Sequence, residues 1–95
     1  MQASLRESFG SYLNIVGAAT TTVKAGQGAL IGIVVNKPVN ADTITLWDNT
    51  AASGTKIGTI TISGTVPLFL KFDCKFSNGL TVVTSGADDI TIIYC

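Results

Sequence analysis

Chemistry needs side chains that titrate, coordinate or attack, and this chain holds few of them. It has no histidine, which removes the commonest general base and metal ligand and every triad built on an imidazole. The carboxylates are Glu7, Asp42, Asp48, Asp73, Asp88 and Asp89. Asp42 and Asp88-Asp89 stand at the starts of strand-like runs, where aspartate commonly serves as a turn acceptor. A calcium site at Asp88-Asp89 is disfavoured, because adjacent carboxylates point apart on a strand and no D-x-D-x-D-G loop is present. Cys74 has no histidine partner and belongs to the inward side of its run, so it reads as packing rather than as a nucleophile. Cys74 and Cys95 make no disulfide framework and read as reduced thiols of a protein made in a cytoplasm; a bond between them stays open if the last strand pairs near Cys74. Gly26-Gln27-Gly28 and Ser53-Gly54-Thr55-Lys56 lack P-loop spacing and open no helix, so they are turns. The expectation is a protein that is not an enzyme, with no catalytic residue, cofactor or metal.

Recognition is what remains. Trp47 reads as a stacking platform for a ring, as an anchor in a protein interface, or as filling for the opposite layer of a sandwich. Six basic residues balance six acidic ones, so no lysine and arginine stripe could neutralise a row of phosphates, and nucleic acid is not an expected partner. No apolar run approaches the roughly 20 residues of a membrane helix. Arg6 and Glu7 interrupt the start, which does not resemble a signal peptide. Charged residues make up 13% of the chain, against roughly 25% in an average domain. A neutral chain this poor in charge is weakly protected against association, and that favours a protein held by others.

The elements that must position these residues are strands. Leu68, Leu70, Phe72, Cys74 and Phe76 alternate with Phe69, Lys71, Asp73 and Lys75, the period of two of a strand with one face in a core. Ser77-Asn78-Gly79 then turns the chain into Leu80–Thr84, which predicts a long central hairpin. Ala18–Ala25 reads as a strand, and Ala29–Asn36 is apolar on both faces, as expected of a central strand covered on both sides. Asp42–Asp48 and Asp89–Cys95 alternate, and Asn49–Thr55 is a hairpin loop. In Lys56–Ser63, Ile57 falls out of phase with Ile60 and Ile62, so Gly58 marks a bulge. Threonine is the most abundant residue and often alternates with isoleucine, giving strands an uncharged polar face. About seven strands predict an all-β fold: an antiparallel β-sandwich or jelly-roll-like barrel over residues 17–95.

Residues 1–16 differ. Ser4-Leu5-Arg6-Glu7 has the form of a capping box, and Leu5, Phe9, Tyr12 and Leu13 fall at helical spacing, although Gly10 interrupts them. Three readings stand: a frayed terminus, a segment folded back on its own sheet, or an N-terminal arm, extended or with a short helical turn, lying on a neighbour. Leaving four large apolar side chains in water is costly, which supports docking of some kind.

Laid end to end, ITLWDNTAASGTKIGTITI (Ile44–Ile62), PLFLKFDCKFSNGLTVVTSG (Pro67–Gly86) and DITIIYC (Asp89–Cys95) carry a resemblance. An aromatic-Asp strand end, an N-T-x-x-S-G-T loop, a Pro-led strand turning at N-G-L and a closing T-I-x-Y strand follow in that order. The pattern covers a little over half of the chain and resembles the small all-β virion proteins of tailed bacteriophages, especially capsid cement or decoration proteins. The resemblance implies a homo-oligomer, trimer or dimer, that sits on the outer capsid and bridges neighbouring major capsid proteins, often with an N-terminal arm. Related folds occur in tail and baseplate pieces, where receptor or carbohydrate binding is the alternative. The residues expected at a partner are Leu5, Phe9, Tyr12 and Leu13 on the arm, with Trp47, Phe69 and Lys71 on outward strand positions.

Overall fold

A computed structural model describes residues 10–95. Eight strands follow one another: β1 (Ser11–Val16), β2 (Ala19–Ala25), β3 (Gly28–Lys37), β4 (Thr43–Asp48), β5 (Thr55–Thr61), β6 (Leu68–Phe76), β7 (Gly79–Thr84) and β8 (Asp89–Tyr94). They form two four-stranded sheets, one in the order β1-β8-β3-β6 and the other β2-β7-β4-β5. Every pairing is antiparallel. The expected all-β sandwich is present, with one strand more than the sequence reading counted.

The extra strand is β1. Helical spacing across Tyr12 and Leu13 gives way to a period of two: Leu13 and Ile15 face inward, while Tyr12, Asn14 and Val16 face out. Its backbone groups pair with β8 from Ser11↔Tyr94 to Val16↔Asp89. Six ladder residues satisfy more polar backbone than a Gly-interrupted helical turn could. Ser11–Val16 is therefore folded back on its own sheet, and the rest of the expected arm lies outside the described residues.

Alternation along each strand builds the core. Leu30, Ile33, Val35, Ile90, Ile92 and Phe76 of the first sheet meet Ile44, Leu46, Leu80 and Val82 of the second, all essentially without solvent exposure. Leu70, Phe72 and Cys74 pack against this cluster from β6, and Ile57 and Ile60 of β5, with Ile62 just beyond it, close it from the other sheet. The shift in register between Leu46↔Gly58 and Trp47↔Lys56 leaves Ile57 as the unpaired residue, so the predicted bulge is there.

The predicted central hairpin is not. β6 lies at the edge of the first sheet against β3, whereas β7 lies inside the second, between β2 and β4. Ser77 and Asn78 form a crossover between sheets, held by β4: Ser77 N–H donates to both Asp48 oxygens (3.0 Å each) and Asn78 N–H to Oδ1 (2.8 Å). Only β4 and β5, joined through Asn49–Thr55 as expected, are consecutive strands that pair. β3 is central within its sheet, yet only its inner face is covered. Ile31 and Val34 turn outward and stay partly exposed.

Candidate interaction surface

Two outer faces are available, one per sheet, and their chemistry differs. On the first sheet, Tyr12 and Phe69 are 75% and 55% exposed and stand on the two edge strands. Ile93, Ile31 and Val34 fill the space between them, partly exposed and outside the core cluster. The register runs Tyr12↔Ile93↔Gly32↔Lys71, with Val34↔Phe69 one step along. The Phe69 ring reaches over Gly32: a Cβ built there would stand 2.6 Å from Cζ and 2.7 Å from Cε1. Glycine at this position leaves room for the ring to approach the backbone and join the apolar band.

Polar groups border the band on both sides. Along β8, Asn14 Nδ2 donates to Asp89 Oδ1 (2.7 Å) and to Thr91 Oγ1 (3.2 Å), and Asn36 reaches the same two atoms from the other flank at 3.2 and 3.0 Å. At the opposite margin, Lys71 pairs with Asp73 at 3.3 Å, both well exposed. An apolar centre with a hydrogen-bonded, charged rim is the anatomy of a protein interface.

The second sheet presents a threonine face. Across its strands run Thr20–Val83–Thr45–Thr59 and Thr22–Thr81–Trp47–Lys56, with Thr43 beside Thr61. Trp47 is partly buried there, with Lys56 Nζ 5.8 Å from its ring centroid, a contact that covers part of the indole face. The filling role for Trp47 is thereby ruled out, since its neighbours in register, Thr81 and Lys56, share the outer side.

The expected partner residues are not brought together. Tyr12, Phe69 and Lys71 share the first outer face, Trp47 occupies the opposite one, and Leu13 points inward onto the core. Leu5 and Phe9 lie outside the described residues. Leu13 is corrected by the strand period of β1, which sends alternate residues to opposite faces. Sequence reasoning missed Gly32, Ile31, Val34 and Ile93. Their signal was the apolar doublets Ile33-Val34 and Ile92-Ile93, which send one member of each pair outward.

Comparison of the chain with protein-family models, curated proteins and solved structures finds no match. The site is therefore argued on its own geometry. Among the described residues no group of three or more His, Cys, Asp or Glu side chains is placed to hold a metal ion, and no helix is long and apolar enough to cross a membrane. Cys74 and Cys95 are both free thiols, and burial, with Asp48 and Asp73 nearby, raises Cys74 above the ordinary range. A raised thiol is a poorer source of thiolate, in keeping with a packing role.

Proposed function

We propose that this chain is a structural protein of a tailed-phage virion: a capsid cement protein that binds the outside of the lattice and clamps neighbouring major capsid proteins. The observation that carries the reading is the apolar band that crosses the four strands of one outer face from Tyr12 to Phe69, rimmed by Asn14, Asn36, Lys71 and Asp73. The strand order supports reading the sandwich as a jelly roll, the eight-stranded architecture of many viral capsid domains. In this reading the protein works without catalysis or cofactor, assembles in the host cytoplasm, and acts as a homo-oligomer, with a trimer favoured. The part of the arm expected at a neighbouring subunit, Leu5 and Phe9 included, lies outside the described residues. The physical mechanism is linkage: a clamp that binds only the assembled lattice stabilises it by its binding free energy, repeated over many copies.

A second reading, a tail or baseplate module that binds receptor or carbohydrate, is favoured by Trp47 among threonines on the other face. One experiment separates them. Copies of the chain per purified virion are counted by quantitative mass spectrometry, for the native protein and for Phe69→Asp. A copy number comparable to that of the major capsid protein, falling severalfold in a folded Phe69→Asp variant, supports the clamp. A handful of copies moves the protein to the tail, and absence from the particle overturns both readings.

A further inference from the structure

The loops at one end of the sandwich are tied together around two aspartates. Asp88, in the β7–β8 loop, has no solvent exposure. Its Oδ1 accepts from Val39 N–H of the β3–β4 loop at 2.7 Å, and its backbone oxygen accepts from Gly17 N–H of the β1–β2 turn at 2.9 Å. Asp42 closes the same end from the other sheet: its backbone oxygen accepts from Ile62 N–H at 2.8 Å, beside Ala41 N–H donating to Ile62 O at 2.8 Å. Asn40 Oδ1 accepts from Gly64 N–H at 2.7 Å, and Ser85 Oγ accepts from Thr43 N–H at 2.7 Å. All four loops of this end thus meet at one knot.

Two atoms in that knot are unaccounted for. Asp42 Oδ2 and Asp88 Oδ2 are both buried, and neither has a donor among the described residues. Val39 bridges the two residues: its N–H donates to Asp88 Oδ1 at 2.7 Å, and its carbonyl oxygen accepts from Asp42 N–H at 3.1 Å, so both carboxyls belong to one knot. Gly86 is packed so closely on the Asp42 carboxyl that even a Cβ there would collide with it. Among the described residues no cation pairs with either carboxyl. The β1–β2 turn and the β5–β6 loop bring no titratable side chain. Lys37 and Asp89 are the other charged groups at this end, paired in register on the outer side of the first sheet, and the only ion pair among the described residues is Lys71–Asp73. Two bare carboxylates this close repel, and the burial of both Oδ2 atoms sharpens the repulsion.

We propose that Asp42 and Asp88 share a single proton, which makes this end of the sandwich a proton-held latch: closed while the pair keeps the proton and released when it is lost. The proton rides on Oδ2 of one residue and is donated to Oδ2 of the other, so one orphaned oxygen becomes the donor and the other its acceptor. The hydrogen bond to Asp88, burial and the charge of Asp88 all raise Asp42 above the ordinary carboxyl range, in agreement with this arrangement. The latch belongs to the two carboxyls together and to neither alone. The inference stands independently of the virion reading, because it concerns how the loops close and not what the outer faces bind.

The sign follows from linkage. A pair whose folded state holds its proton more tightly than the unfolded chain contributes stability that is fully present below the ordinary carboxyl range. That contribution fades as pH rises through the folded value. Thermal unfolding between about pH 5 and about pH 8 measures it. In the native protein the folding equilibrium constant should fall with rising pH by as much as about tenfold per unit while one proton leaves. Asp42→Asn supplies a permanent donor to Asp88 Oδ2 and should flatten this dependence, and Val39 N–H should keep its hydrogen-exchange protection at the upper pH. An Asp42→Asn profile as steep as the native one overturns the proposal. Carboxyl carbon NMR of the unaltered protein decides the matter even if the variant fails to fold: a raised midpoint for the pair supports it, and ordinary midpoints for both residues overturn it. Restoration of the lost stability at about pH 8 by calcium ions alone would also overturn it, by making the knot a cation site.

Discussion

Asp48 and the Asp42–Asp88 pair show how far one residue type can diverge with its surroundings. Asp48 is met by two backbone donors, Asn78 N–H first and Ser77 N–H second, and these hold its carboxyl below the usual range. A carboxylate satisfied in this way is favoured in its charged form, the reverse of the knot at the other end. The sign reverses as well: its contribution is present above the ordinary carboxyl range and is lost as pH falls through the depressed folded value. Asp48→Ala should therefore lower the melting temperature at neutral pH by several degrees and lose that difference in strong acid, as measured by paired melts of variant and native protein. An equal deficit at all pH values would show that Asp48 acts by shape and not by charge. From the sequence, Asp48 was legible only as the end of a strand. Its partners lie 29 and 30 residues away along the chain, across a crossover that no local pattern announces.

At the scale of elements, the strands were legible and their neighbours were not. Alternation and short β-branched or apolar runs between turns located β2 to β8, and the out-of-phase Ile57 disclosed a bulge. Partner choice depends on which edge accepts a strand after it leaves its predecessor, and Ser77-Asn78-Gly79 serves a hairpin or a crossover equally well. β1 was obscured because its apolar residues also satisfy helical spacing, and only pairing with β8 decides between the two periods. The outer face was half legible: alternation placed Phe69 and Lys71 outward, Tyr12 was singled out by a helical spacing that the strand replaced, and the floor at Gly32 depends on a ring reaching over from β6. Gly32→Ala tests that floor. Its Cβ would stand 2.6 Å from the Phe69 ring and 2.8 Å from the Leu70 carbonyl oxygen, and the crowding should cost about 1–3 kcal/mol in chemical denaturation. Adding Phe69→Ala should recover only part, since the ring is removed but the carbonyl is not. Full recovery would mean that the backbone contact relaxes freely.

The described residues form a slab of 41 × 28 × 18 Å whose sheets share one core. Of its six strand pairings, only β4 with β5 joins neighbours in sequence. Every other pairing closes a longer loop before it gains contacts, and such topologies fold slowly. Refolding followed by Trp47 fluorescence should proceed over milliseconds to seconds, and a microsecond phase carrying the full amplitude would contradict this.

The pairing of β1 with β8 also has a mechanical consequence. Ser11 lies opposite Tyr94 and Val16 opposite Asp89, so a force that draws residues 11 and 94 apart reaches one rung before the next. The load is never shared along the ladder. Tension on the two ends peels β1 away like a zipper, whereas the same six rungs pulled along their length would bear it together.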